Sequence, residues 1–152
     1  MLRLYSKIST DKGFTLLEVL LSIALVGVLA GISMPVLVNL QTKNDLAVAA
    51  ATIAQSFRRA QVLSLAVDGD TAWGVEVQSG SIVVFKGTSY AARDASYDEI
   101  FDLPTSITPS GVSEIVFAKM TGNPQTTGTV TLTTTNSGTS TITVNGKGVI
   151  SY

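Results

Sequence analysis

Phe14–Leu40, FTLLEVLLSIALVGVLAGISMPVLVNL, decides how this chain is read. Glu18 is its only charge. Drawn as a helix, the run is about 40 Å long at ~1.5 Å per residue, enough to cross a bilayer core of roughly 30 Å. Ahead of it, residues 1–13 form a short polar leader in which Arg3, Lys7 and Lys12 outweigh Asp11. Positive charge before an apolar run stays on the cytoplasmic side. The expectation is a transmembrane helix over 14–40, with everything after Leu40 outside.

From 41 to 67 the pattern becomes one-faced. Leu46, Ala50, Ile53, Phe57, Ala60, Ser64 and Val67 recur at steps of three and four, with Ser64 the weak member of the stripe. Gln55, Arg58, Arg59 and Gln61 fall mostly off it. No glycine or proline interrupts between Pro35 and Gly69, so both halves read as one long helix. Asp68-Gly69-Asp70 ends it, with Gly69 as the expected left-handed cap.

Residues 71–152 read as β structure. Strands are expected at Thr71–Val77, Ile82–Lys86, Glu114–Lys119, Thr129–Thr135, Thr141–Val144 and Val149–Tyr152, separated by glycine- and asparagine-rich turns. The stretch from Thr88 to Asp102 is polar and reads as irregular. The fold class is α+β: a long helix whose apolar stripe covers one face of an antiparallel sheet, since neither element buries its face alone. The threonine-rich end fits a solvated strand face.

Composition narrows the chemistry. The chain has 152 residues, a net charge of -1 and only 14% charged residues; mean hydropathy is +0.39. Such a balance does not point to nucleic acid. There is no cysteine and no histidine. Thiolate metal sites, disulfides and histidine-based nucleophile activation are thereby excluded. No constellation for catalysis is present, no cofactor or metal site is expected, and the chain is not read as an enzyme.

Glu18 carries the most information. A carboxylate near the start of a membrane helix is unfavourable without a partner, and no cation lies within the run. A free amine created by cleavage just upstream supplies one. Lys12-Gly13-Phe14-Thr15-Leu16-Leu17-Glu18 resembles the processing site of type IV pilins and the pseudopilins of type II secretion. The resemblance implies cleavage after Gly13 by a prepilin peptidase and N-methylation of Phe14. It implies that Glu18, fifth after the cut, pairs with the terminal amine of a neighbouring subunit. It extends to Gly27 and Pro35, between which family helices can lose helicity in the filament. It implies a helix on an antiparallel sheet, and as partners other pilin or pseudopilin subunits, membrane lipid and an inner-membrane assembly platform. The protein is then expected first in the inner (cytoplasmic) membrane and afterwards in a pilus or pseudopilus. Gln55-Ser56-Phe57-Arg58-Arg59-Ala60 resembles the H-type minor pseudopilins and their pilus counterparts. The paired cysteines of many major pilins and the calcium loop of major pseudopilins are missing. A major subunit, or an adhesion or DNA-uptake module on the filament, is the alternative.

Other features have plainer readings. An ordinary signal peptide ending at Val28-Leu29-Ala30 is disfavoured, because the apolar run continues beyond it and contains Glu18. Gly27-Val28-Leu29-Ala30-Gly31 is a GxxxG pattern suited to close helix packing, with Gly31 its second glycine. Arg58-Arg59 reads as a solvated face with its stems over the sheet edge. Asp68 and Asp70, and Asp94, Asp98, Glu99 and Asp102, read as turn and loop carboxylates rather than a calcium site. Trp73 is expected in the core, and Tyr90 and Tyr97 on an exposed contact surface.

Overall fold

The computed structural model describes residues 13–135 and 138–152, and for 32–38 the backbone alone. The leader residues 1–12 and the turn residues Asn136-Ser137 lie outside the described residues. The chain divides into two units, one ending at Val38 and the other Asn39–Tyr152. One helix, α1, runs Leu16–Leu65. Among the described residues eight strands follow: β1 Trp73–Gln78, β2 Ser81–Lys86, β3 Asp94–Asp102, β4 Ile107–Gly111, β5 Glu114–Phe117, β6 Gly128–Thr134, β7 Thr139–Val144 and β8 Ile150–Ser151. The α+β class expected from the sequence is present.

Among the described residues no helix is long and apolar enough to cross a membrane. The span expected over 14–40 is therefore not reproduced among these residues.

In the second unit, α1 buries Leu46, Ala49, Ala50, Ile53, Ala54, Phe57 and Ala60. This is the stripe read from the sequence, widened by small residues that let strands approach closely. The strands form two antiparallel sheets where the sequence suggested one. Their orders are β3-β2-β1-β5 and β4-β6-β7-β8. Both line a common core: Trp73, Val75, Val77, Ile82 and Val84 from the first, Val130, Leu132, Ile142 and Val144 from the second. Phe57 meets Phe117 edge-on at 6.4 Å between ring centroids.

The second sheet arises because one segment changes partners. Val112 N–H donates to the Thr129 carbonyl of β6, at 3.1 Å. The next residue, Ser113, accepts from Val77 N–H of β1 at 2.7 Å. The pivot is Gly111, with φ 92 and the Thr129 carbonyl where a Cβ would stand. Only glycine adopts that conformation readily.

Two strands escaped the sequence reading. The stretch read as irregular contains β3, an edge strand exposed along most of its length. With little burial on either face, its alternation carries no hydrophobic signal. Strand β4 contains Pro109, tolerated because β4 is an edge.

The helix ends earlier than expected. Val67 is the first left-handed residue, at φ 57, while Gly69 (φ 64) and Asp70 (φ 58) lie in the short 3-10 turn that follows. Two contacts anchor this turn. The Trp73 indole N–H donates to the Asp68 carbonyl at 2.9 Å, and the Asp70 carboxylate takes the Lys119 ammonium.

The outer face of the first sheet holds a smaller cluster of Ala72, Val83, Phe85 and Val116, capped by Tyr90. Gly74, the cross-strand partner of Phe85, lies under that ring and has no room for a side chain. Tyr90 therefore does not form an exposed surface. Its ring meets Phe85 at 5.6 Å and carries the Arg93 guanidinium at 3.8 Å. Tyr97 is half exposed, edge-on to Trp73 and beneath the Lys86 ammonium.

Candidate functional site

The residues singled out from the sequence lie at the start of α1 and along its first turns. Gly13 and Phe14 precede the helix, and Phe14 is 81% exposed. The Thr15 hydroxyl accepts the Glu18 N–H at 3.3 Å. This is an N-cap, and Thr15-Leu16-Leu17-Glu18 has the S/T-x-x-E spacing of a capping box. The sequence reading did not use that signal, although it was legible. Glu18 thus sits in the first helical turn, where the helix dipole favours a negative charge. Its carbonyl accepts the Ser22 hydroxyl at 2.7 Å.

Around Glu18 and onward to Leu29 the helix presents exposed apolar side chains. Leu16, Leu17, Leu20, Leu21, Ile23, Leu25, Val26, Val28 and Leu29 are all exposed. Gly27 and Gly31 are helical, and a Cβ at either would meet nothing within 4 Å. The helix backbone continues through Pro35. Proline has no N–H, so the intrahelical bond that would end on the Gly31 carbonyl cannot form there.

The remaining candidates resolve into structural contacts. Arg59 forks both carboxylate oxygens of Glu99, tying α1 to β3. Arg58 points elsewhere, with its guanidinium 5.6 Å from the Tyr152 ring centroid. The adjacent arginines therefore meet different partners, one on β3 and one at Tyr152, and do not form one anion-binding patch. The acids expected in a solvated loop stand on β3, and three have partners there: Asp98 meets Arg93 at 2.8 Å, Asp94 accepts from Ser96, and Glu99 holds Arg59. Hydrogen bonds from Ser96 hold the Asp94 pKa below the usual carboxylate value. The hydrogen bond from Lys119 does the same for Asp70. No group of three metal-ligating side chains occurs among the described residues. A cavity of about 290 Å³ opens between Asn39, Thr42, Lys43 and Leu46 of α1 and Thr134 and Gly138.

The sequence of the first turns meets a known pattern. The family description "Prokaryotic N-terminal methylation motif" matches residues 8–34. This chain carries the type IV pilin and pseudopilin signature. The match takes in Gly13, Phe14, Glu18, Gly27 and Gly31 and ends just before Pro35. Searches of curated proteins and of solved structures return no match. The pilin signature belongs to a structural family, and it implies processing by prepilin peptidase and assembly with other pilin subunits. It does not extend to Gln55–Ala60, the segment that resembles the H-type minor pseudopilins.

Proposed function

We propose that this chain is a structural subunit, of the minor class, of a type IV pilus or a type II secretion pseudopilus. The observation that carries the reading is the methylation motif at 8–34 on a helix whose described apolar side chains from Leu16 to Val28 are exposed. Prepilin peptidase cuts between Gly13 and Phe14, and Phe14 is then methylated. Before assembly the apolar run over 14–40 lies in the inner membrane, with residues after Leu40 outside. In the filament it packs among the helices of neighbours, exchanging lipid for equally apolar surface. Glu18 then sets register: a subunit out of step leaves its carboxylate unpaired in an apolar setting.

The test is the intact mass and N-terminal sequence of the protein recovered from membranes. A start at Phe14, with a methyl group, is the expected result. A start at Gly31 would mean ordinary secretion and an uncut Met1 a simple anchor; either removes the filament reading. The register role has its own test. Glu18→Gln is expected to be processed normally and to leave the filament fraction.

A further inference from the structure

The turn between β7 and β8 places an asparagine carboxamide in a setting that favours its own reaction. Asn145 precedes Gly146, and both are exposed. The Asn145 side-chain oxygen accepts two backbone N–H bonds, from Lys147 and from Val149, each at 3.0 Å. The Lys147 bond closes a ten-membered ring that contains both the Asn145 carboxamide carbon and the Gly146 nitrogen. The Asn145 carbonyl accepts Gly148 N–H at 2.9 Å and its N–H donates to Val149 at 3.1 Å, so the turn is held in this form. A Cβ at Gly146 would meet nothing within 4 Å, and the glycine leaves the approach unhindered.

We propose that Asn145 is a site of spontaneous deamidation, with the Lys147 and Val149 N–H groups acting as an oxyanion hole. A solvent base takes the Gly146 N–H proton, and the nitrogen attacks the Asn145 Cγ. Charge gathers on the side-chain oxygen, where the two donors already point. The Cγ–Nδ2 bond breaks, and ammonia leaves with a proton from solvent. The succinimide then adds water, the only co-reactant. Opening at the side-chain carbonyl gives aspartate, and opening at the main-chain carbonyl gives isoaspartate. Confining both reacting atoms to one hydrogen-bonded ring narrows a search that an unfolded chain must make.

The product alters a weakly held element. Strand β8 pairs with β7 through two register pairs, Thr143↔Ser151 and Val144↔Ile150. Isoaspartate adds a methylene to the backbone of the turn that positions it, so conversion loosens the end of the second sheet.

The experiment is incubation of the full chain in detergent at mildly alkaline pH, beside the same chain unfolded in urea, with peptide mapping of residue 145. The expected result is aspartate and isoaspartate accumulating severalfold faster in the folded chain. Gly146→Ala is expected to slow folded conversion at least tenfold. Slower conversion when folded, or no conversion at residue 145, overturns the proposal.

Discussion

The Ser64 hydroxyl accepts the Trp73 backbone N–H at 2.9 Å and donates to the Phe117 carbonyl at 3.0 Å. Trp73 and Phe117 are register partners across β1 and β5, so one helix side chain binds both strands at the edge of their ladder. Ser64 is fully buried, and its own carbonyl accepts Met120 N–H at 3.0 Å. Ser64→Ala strips the Trp73 N–H and the Phe117 carbonyl of a buried partner, at a cost of about 1–3 kcal/mol. Urea unfolding of the variant is expected to show that loss with an unchanged slope. An equal midpoint would mean that water or the ladder itself takes over the hydroxyl's bonds.

Ser64 also shows what the sequence left unread. Its place on the helix stripe was legible, but its purpose depends on strands 9 and 53 residues away along the chain. The helix and strands β1 and β2 were legible because burial writes a repeating apolar pattern. Edge strand β3 buries little and left no such pattern. The two-sheet division rests on a change of hydrogen-bond partners at Val112 and Ser113, which no periodicity records. The candidate site was the opposite case. Its glycine, phenylalanine and glutamate stand in one continuous segment, and so does the Thr15 cap. What only the structure supplies is the empty space beside Gly27 and Gly31.

Val67 holds a left-handed conformation that β-branched residues resist. It occupies the position after the helix end where glycine or asparagine is favoured. Val67→Asn is expected to raise stability by about 1 kcal/mol, since left-handed backbone costs roughly 1–2 kcal/mol in ordinary residues. Thermal unfolding checks this. A lower midpoint would show that the half-buried valine contributes more through packing than its backbone costs.

Glu76 faces Glu114 across β1 and β5. Burial first, and then the Glu114 charge, raise the Glu76 pKa, against a Ser113 hydrogen bond that lowers it. A carboxyl whose pKa is raised by folding holds its proton more tightly in the folded state. Its favourable contribution is complete below the ordinary glutamate value and is lost as pH rises through the raised one. Glu76→Gln removes this dependence. The variant is expected to be more stable than the parent at pH 7, by less than about 1 kcal/mol. The advantage should vanish below about pH 4, where free glutamate is protonated. Chemical unfolding across this range is the measurement, and an advantage independent of pH would point to packing instead of charge.

Gly27 and Gly31 separate the stability of the chain from the stability of an assembly. Each is a weak helix former standing in an exposed helix, and an alanine side chain at either would touch nothing. Replacing glycine by alanine in a helix interior gains about 1 kcal/mol. The double variant Gly27→Ala, Gly31→Ala is therefore expected to be at least as helical as the parent in detergent, by circular dichroism. Close packing of two helices reverses the sign, because small residues let the backbones approach and an added methyl holds them apart. Processing is expected to continue, while the yield of sheared filaments falls severalfold. A double variant that is fully helical and still fills the filament fraction would mean that neighbouring helices meet on another face of α1.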